Sequence, residues 1–333
     1  MVDIAREAGV HVATVSRVLN GKADEIGLSE STVIHVRSVA ERLGYRRNSL
    51  ARVLRTGESM SVGMVVPDLG NLYHTGIAQA AATRLREHGY SLLVSSTTGT
   101  DPTGAEQVAA FLDARVAGLI YGAADSNDPV VRAVVSDRTP IVLYNRAAPG
   151  IEASWVVPDE TDAVVESVRH LAGLGHAHIA HLGGPAALPS TSERIAAFEA
   201  AVKEFEVEGT PLFAGVHNED QGEVATAQHL RSLPPTTAII AANDRLALGA
   251  IAAVRASGRT CPRDISIVGF TDMPHAAQLD PSLTTFRIPH RAMGRRAADL
   301  LLRQIADPSA EPIQEVMGGE LIVRNSTAPA VTA

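Results

Sequence analysis

From Ser61 onward, short apolar runs alternate with longer stretches of helical periodicity, and this alternation limits the possible folds more than any other feature of the chain. The runs lack the polar alternation of a half-exposed strand, which is typical of strands covered on both faces. Strand, helix, strand in repetition predicts parallel sheets flanked by helices. The predicted strands are 62–66, 91–94, 118–121, 141–144, 179–182, 238–241 and 265–268, and the predicted helices include 76–87, 162–174, 192–204 and 244–256.

Two segments of this α/β region have counterparts later in the chain. Residues 116–125 are echoed by 236–244, and residues 89–93 by 175–179. We therefore predict two α/β lobes of similar plan. Because ligands of such sheets bind beyond the carboxyl ends of the strands, a cleft between the lobes would be lined by the residues that follow each strand.

Length and composition restrict the class of protein. A chain of 333 residues with 45% hydrophobic side chains suits two or more globular domains. The longest apolar stretches, such as 238–242, fall far below the roughly 18 residues of a membrane helix, and the N-terminus lacks an apolar signal region. The single cysteine, Cys261, cannot form an internal disulfide and excludes a Cys-based metal cluster. We expect a cytoplasmic protein with no membrane partner.

Other site chemistries find little support in the sequence. His178 and His181 are separated by an odd number of positions on a predicted strand and so point to opposite faces, which argues against a shared metal ion with His176. Residues 183–185 follow a strand but lack the spacing of a dinucleotide or phosphate loop. Cys261 lies in a predicted loop without the setting of a nucleophile. We expect no catalysis, no cofactor and no metal.

The first 57 residues differ in charge from the rest of the chain. They hold nine basic and six acidic side chains, a balance of +3, which leaves −11 for the remainder out of a total of −8. A basic head on an acidic body can attract phosphates at one end while the other end stays soluble.

Residues 2–20 have the pattern of two short helices joined at Gly9. Ala5, Gly9 and Val15 lie where a helix-turn-helix needs a small residue, a left-handed backbone and a buried side chain. An ordinary helical hairpin is the alternative interpretation. In a helix-turn-helix, the second helix would present to the major groove the residues Val12, Ala13, Ser16 and Arg17.

A third helix is predicted from the N-cap Ser29 to the stop at Gly44. After it comes a basic stretch, 46–57, with Leu50, Val53 and Leu54 on one side if it is helical. Such a short helix would be marginal in isolation and would need a partner.

Several runs of the chain resemble the lactose-repressor (LacI/GalR) family of bacterial transcription factors. In the head they are 3–10, 13–21, 43–45 and 50–52, and in the body 67–68, 174–176, 182–185, 242–244, 268–270 and 283–285. The resemblance implies a small all-α helix-turn-helix head, 1–46, a hinge helix, 47–57, and a periplasmic-binding-protein-like α/β core of two doubly wound parallel-sheet lobes. The N-terminal lobe would comprise 58–160 and 286–319, and the C-terminal lobe 161–285 and 320–333, with three crossovers near Asp159, Phe286 and Gly319.

The resemblance also implies roles in DNA binding. Val12, Ala13 and Arg17 would face bases, and Thr14 and Ser16 would lie near phosphates. Asn48 would lie in the hinge helix, together with Leu54, which would enter the minor groove as a wedge that bends the duplex. Packing of Leu54 between two paired hinge helices is the alternative.

The head departs from the family pattern in four places. His11 replaces the serine that usually caps the recognition helix, a loss of about 1 kcal/mol if nothing compensates. Arg47 stands where proline is common, and residues 24–28 lengthen the preceding loop. The first helix begins at Val2, so the residues that normally open it are missing, which suggests a mis-assigned start codon or a weaker phosphate contact. We expect these departures to affect DNA affinity more than the mode of binding.

Carried over by position, the resemblance implies an effector site between the lobes. An arginine fork and an asparagine can grip adjacent hydroxyls or a carboxylate, while an aromatic ring covers an apolar face. Any one of these residues could instead serve loop or lobe packing. Asn145 and Thr271 stand where sugar-responsive relatives often carry aspartate, so an anionic or nucleoside-like effector stays open beside a sugar or sugar derivative. The implied residues are Tyr73, His74, Asn145, Arg146, Arg194, His217, Asn243, Phe270, Thr271 and Asp272.

These observations together predict an effector-controlled transcriptional regulator, a repressor rather than an activator. A homodimer would bind a pseudo-palindromic double-stranded DNA operator, and a small-molecule effector would change the arrangement of the lobes. A solute-binding module would use the same cleft but needs an export signal and no basic head. A sugar-modifying enzyme on the same fold would need turnover that no residue set here explains.

Overall fold

The computed structural model describes residues 1–19, 23, 27–45, 59–97, 103–125, 127–186, 188–232 and 235–331, the side chain of Pro189 excepted. The chain forms two compact units, Met1–Ser59 and Met60–Ala333. The predicted hinge residues Asn48 and Leu54 lie outside the described residues.

The described residues of the first unit form three helices, α1 (Val2–Glu7), α2 (Val12–Leu19) and α3 (Glu30–Arg42). Gly9 links the first two with φ +64°, a left-handed conformation that glycine adopts without strain. Val15 is fully buried and packs with apolar residues of α1 and α3. Ser29 caps α3 by accepting the Thr32 amide at 3.3 Å. The predicted helix-turn-helix and third helix are therefore confirmed.

The cap of α2 is made by an unexpected side chain. The His11 ring nitrogen Nδ1 accepts a hydrogen bond from the Ala13 amide at 3.2 Å. The Ala13 amide at the start of α2 has no partner within the helix, and it donates to the imidazole instead. A serine at position 11, as in the family pattern, would accept the same kind of hydrogen bond. The imidazole therefore supplies an acceptor in place of the missing serine hydroxyl.

In the described part of the second unit, the strands form two six-stranded sheets. Its strands are β1 (Ser61–Val66), β2 (Ser91–Ser96), β3 (Leu119–Tyr121), β4 (Ile141–Tyr144), β5 (Ser154–Pro158), β6 (His178–Gly183), β7 (Glu208–Phe213), β8 (Ala238–Ala241), β9 (Ser266–Thr271), β10 (Thr284–Arg287), β11 (Gln314–Met317) and β12 (Glu320–Ile322). The first sheet has the order β11-β5-β4-β3-β1-β2 and the second the order β12-β10-β9-β8-β6-β7. All pairings are parallel except that of β12 with β10.

Helices cover both faces of each sheet. They are α4 (Leu72–Glu87), α5 (Ala105–Asp113), α6 (Pro129–Ser136), α7 (Glu160–Gly173), α8 (Pro189–Glu204), α9 (Glu219–Arg231), α10 (Asp244–Ala256) and α11 (His290–Ala306). Along β3, Ile120 faces the core beneath α4 and α11, while Leu119 and Tyr121 face the core beneath α5 and α6. This alternation buries both faces of a central strand, as the apolar runs predicted.

The chain passes between the sheets three times, and each sheet with its helices forms a lobe. It leaves the N-terminal lobe after β5, returns after β10, and crosses again between β11 and β12. Strand β10 pairs with β9 as far as Arg287, so this crossover follows Arg287, slightly later than the predicted position at Phe286.

Of the two predicted internal similarities, one relates strands that hold the same place in the two sheets. Strands β3 and β8 hold corresponding places in their sheets, which agrees with the echo of 116–125 in 236–244. The second echo joins β2, an edge strand, with β6, which corresponds instead to β1. Both segments begin with a left-handed glycine after a helix, Gly89 at φ +81° and Gly175 at φ +85°. Their similarity therefore reflects a shared helix stop rather than an equivalent place in the fold.

Candidate functional site

The exposed face of α2 carries the residues predicted to contact DNA. Ala13 and Arg17 are exposed, and one helical turn separates them, so they lie on the same face. Val15 and Val18 are buried on the opposite face. Among the described residues Arg17 has no ion pair, whereas Arg42 pairs with Glu7 at 2.5 Å. The partly exposed members of this face are Val12, Thr14 and Ser16.

A cavity of about 200 Å³ lies between the two lobes of the core. It is lined from both lobes by residues just after the carboxyl ends of strands, where a doubly wound fold binds its ligands. Nine of the ten residues predicted for the effector site line it: Tyr73, His74, Asn145, Arg146, Arg194, His217, Asn243, Phe270 and Thr271.

Asp272, the tenth predicted residue, does not line the cavity. Its carboxylate pairs with two arginines of the same lobe, with Arg287 at 2.7 Å and Arg324 at 2.7 Å. Thr271 and Asp272 both have left-handed backbones, and Asp272 directs its side chain to these arginines. Asp272 therefore forms ion pairs within the C-terminal lobe, and the prediction that it belongs to the effector site is wrong for this structure.

Arg194 on α8 is held in place by three kinds of contact. Its Nε and Nη2 donate to the two carboxylate oxygens of Glu160 at 2.8 and 2.5 Å, and Nη1 donates to the Ala242 carbonyl at 2.6 Å. The guanidinium also stacks over the Phe270 ring, with its central carbon 4.6 Å from the ring centroid. Because these contacts already hold the guanidinium, its N–H groups that they do not use can bond to a ligand in the cleft with little further loss of rotamer freedom.

Arg146, directly after β4, is the other arginine of the cavity. Among the described residues its guanidinium has neither a hydrogen bond nor an ion pair. Burial lowers the pKa of Arg146 from its ordinary value, and the nearby carboxylate of Glu160 opposes this effect. Its donors are therefore available to a ligand in the cleft.

The imidazoles of the cavity are neutral at physiological pH. Burial, reinforced by Arg146, lowers the pKa of His74 to about 3, and burial together with Arg194 lowers that of His217 to about 3. Burial raises the pKa of the Tyr73 hydroxyl, which therefore remains protonated. Neutral imidazole carries one donor and one acceptor, so the site offers mixed hydrogen-bonding groups rather than a purely cationic surface.

A second compartment of about 220 Å³ adjoins the first. The two share Asn145, Arg146, Glu160, Ser190 and Arg194, and the second adds the acidic residues Asp125, Asp159 and Glu193. Burial and the neighbouring Glu160 raise the pKa of Glu193. The second compartment is therefore richer in carboxylates than the first.

The structure adds residues to the cavity that the sequence did not single out, among them Asp68, Asn71, Glu160, Ser190 and Thr191. Asp68 follows β1, so the strand-end rule could have found it. Asn71 caps α4 by accepting the Tyr73 amide at 3.0 Å, a role that its place before the helix could have indicated. Glu160 follows β5 at the same distance, but 154–158 was not among the predicted strands, so the rule could not be applied there.

Asp244 stabilises the cavity wall from behind. Its fully buried carboxylate accepts hydrogen bonds from the Thr285 hydroxyl at 2.6 Å, the Met273 amide at 2.6 Å and the Thr271 hydroxyl at 3.3 Å. Burial raises the pKa of Asp244 despite these bonds. They hold Thr271, whose φ of +117° is unfavourable for a β-branched residue, at the cavity surface.

The three histidines considered for a metal site lie in different surroundings. His176 bonds to the Thr237 hydroxyl at 2.9 Å, His178 contacts Glu208 at 3.0 Å, and buried His181 lies against the Phe198 ring. In the described part of the chain no group of three or more His, Cys, Asp or Glu side chains is arranged to hold a metal ion. None of the described helices has the length and apolar character needed to cross a membrane.

Comparisons with known proteins bear on both units. Residues 1–48 match the family model described as bacterial regulatory proteins, lacI family, and residues 168–327 match the periplasmic binding protein-like domain. The HTH-type transcriptional regulator MalR of Streptomyces coelicolor is 34% identical over 99% of this chain and 97% of its own length.

Two solved structures are similar over nearly the whole chain. One is the Lac repressor dimer bound to operator and the anti-inducer ONPF, at 27% identity and a TM-score of 0.87, with 98% of each chain covered. The other is a complex of the transcriptional regulator CelR with cellobiose, at 27% identity and a TM-score of 0.73, with 97% of this chain and 98% of that one covered. Head, core and relatives agree: this chain belongs to the LacI family of bacterial DNA-binding transcriptional regulators.

Proposed function

We propose that the protein is a homodimeric repressor whose affinity for a pseudo-palindromic operator is controlled by a sugar or sugar derivative bound between the lobes. The observation that carries the proposal is the cavity between the two sheets, lined from both lobes by residues that the strand ends bring together. We infer that the cavity serves to sense a ligand rather than to catalyse a reaction, and that the protein acts on DNA in the cytoplasm.

For DNA binding, we assign base contacts to the exposed α2 residues Ala13 and Arg17 with Val12, and phosphate contacts to Thr14 and Ser16. Asn48 and Leu54 retain their predicted roles in a hinge segment, 47–57, between the head, 1–46, and the core. The dimer follows from the need to read two half-sites, and the similar Lac repressor dimer on its operator supports it.

For effector binding, the fixed guanidinium of Arg194, the amides of Asn145 and Asn243, and the neutral imidazoles can bond to adjacent hydroxyls. The cellobiose bound to the similar CelR supports a sugar. The effector controls DNA binding only through different affinities for two lobe arrangements, because a ligand that binds both equally shifts neither.

The operator proposal is tested with the full chain and the DNA upstream of its own coding region. We expect a discrete footprint, and we expect Arg17→Ala to weaken binding to this site by about 1–3 kcal/mol while binding to random DNA of equal length changes little. An equal loss on both DNAs would make Arg17 a phosphate contact, and the absence of any protected site at low ionic strength would refute operator recognition.

The effector proposal is tested by a thermal-shift screen of sugars, sugar phosphates, nucleosides and small acids. A ligand of the native state must raise the melting temperature, and it must then change the operator affinity measured above. Incubation of each ligand with the protein, followed by a search for product, decides against the alternative of a sugar-modifying enzyme if the ligand is recovered intact.

A further inference from the structure

An ion pair joins the two lobes at the edge of the cleft. Asp68 follows β1 in the N-terminal lobe, and Arg245 lies in the first turn of α10 in the C-terminal lobe. Arg245 Nη1 donates to Asp68 Oδ2 at 2.8 Å. Asp68 lines the effector cavity, and so does Asn243, the N-cap of α10.

Each partner also has a contact within its own lobe. Glu219 accepts hydrogen bonds from Nε and Nη2 of Arg245, each at 2.8 Å, which leaves Nη1 directed at the other lobe. Asp68 Oδ1 accepts the Gly70 amide at 2.7 Å, which directs Oδ2 at the arginine. Because each group is already held within its own lobe, their contact costs little of the side-chain entropy that usually weakens surface ion pairs.

This contact differs from the other ion pairs of the described residues. Arg84–Asp299, Arg296–Glu315 and Arg324–Asp272 each join elements of one lobe, and Arg194–Glu160 lies beside a crossover. A contact within one lobe is kept when the lobes move relative to each other. The Asp68–Arg245 contact joins the two lobes, so it breaks when they move apart.

We propose that Asp68 and Arg245 form a latch that holds the lobes in the arrangement of this structure and so sets the balance on which the effector acts. The regulatory part of this statement rests on the proposed function, but the latch itself is a property of the free protein. Asp68 is half exposed and the Arg245 side chain 19% exposed, so salt should weaken the latch.

The latch is tested by pulsed electron paramagnetic resonance on the full chain, without DNA or ligand. Cys261 is replaced by serine, and spin labels are placed at the exposed positions Ala110 on α5 and Glu223 on α9, one in each lobe. We expect Asp68→Asn to move population from the wild-type distance to a second one, roughly a two- to fivefold change in their ratio. High salt should have the same effect on the wild type and little effect on the variant.

Glu315→Gln provides the matched control, because it neutralises a pair of similar exposure within the N-terminal lobe. It should leave the distance distribution unchanged. A second variant, Glu219→Gln, frees the Arg245 side chain and should produce part of the Asp68→Asn effect. Superimposable distributions for wild type and Asp68→Asn, with both proteins folded by circular dichroism, would overturn the latch. That result would not affect the conclusions of the operator and effector assays. If those assays failed instead, the distance measurement would still decide whether the latch exists.

Discussion

At the scale of single residues, Arg194 combines structural and ligand-binding chemistry in one side chain. Its guanidinium neutralises Glu160, satisfies the Ala242 carbonyl and covers the Phe270 ring. Removal of such a group affects stability as well as recognition, since the carboxylate it leaves behind is only 17% exposed. The two effects can be separated by variants of its partner.

We expect Arg194→Ala to abolish the effector response while operator binding persists, and to lower the free energy of unfolding by about 1–3 kcal/mol because Glu160 loses its partner. Titration with the effector found by thermal shift and urea unfolding measure the two effects. Lys203→Ala, an exposed position on the same helix, is the control and should change neither. Restored stability in the double variant with Glu160→Ala would show that the unpaired carboxylate causes the loss of stability. An intact effector response in Arg194→Ala would contradict it.

At the scale of elements, the wall of the cleft depends on a close approach of α9 and α10. A Cβ atom at Gly249 would lie 2.0 Å from the Glu219 carbonyl oxygen, and one at Gly222 would lie 2.6 Å from the Leu246 carbonyl oxygen. Only glycine allows this spacing, because both obstacles are backbone atoms that cannot rotate away. The first turns of these helices carry Glu219 and Arg245, so the same spacing sets the distance between the two.

Gly249→Ala should therefore lower the free energy of unfolding by about 1–3 kcal/mol or more, as overpacking of a tight contact does. Chemical denaturation measures the effect. The comparison is Gly173→Ala in α7, where no atom lies within 4 Å of the added Cβ. That variant should be neutral or more stable by up to about 1 kcal/mol, since alanine favours helix. Equal effects of the two substitutions would show that helix propensity, and not spacing, determines the result.

At the scale of the whole molecule, three histidines with strongly lowered pKa values make the core sensitive to acid. Burial, assisted by nearby arginines, lowers the pKa values of His74, His181 and His217 to about 3. In the unfolded chain a histidine titrates near 6.5. Between these values the unfolded state binds more protons than the folded state, so stability is complete above about pH 6.5 and falls as the pH is lowered.

We expect the free energy of unfolding to fall between pH 6.5 and 5 by about 1.4 kcal/mol per pH unit for each of these histidines. Urea unfolding across this range tests the slope. His181→Leu should reduce it by one histidine's share without a loss at pH 7, because both ring nitrogens of His181 are buried and lack partners among the described residues. His88→Gln, at an exposed position, is the control. An unchanged slope in His181→Leu would contradict the assignment.

The sequence by itself determined the class of each unit and most of the cleft. Apolar runs of strand length and helical periodicity are local signals, and they predicted strands such as β4 and β8 at their observed bounds. Nine of the ten effector residues that the family resemblance implied line the cavity, and several of them, such as Asn145, Asn243 and Thr271, lie at strand ends, which share one edge in a parallel sheet. Strand β7 escaped prediction because it is an exposed edge strand interrupted by Pro211, which weakens the local pattern.

Only the tertiary structure decided which charged groups meet. The sequence placed Asp272 at the right strand end, but its partners Arg287 and Arg324 lie far along the chain and draw its carboxylate away from the cleft. Arg245 and Asp68 likewise lie 177 positions apart. Asp244, which follows β8, meets Thr285 of β10, 41 positions further along the chain. Periodicity reports whether a residue faces a core or solvent, whereas a salt bridge requires two side chains within a few ångströms, which follows only from how the packed helices and sheets bring distant segments together.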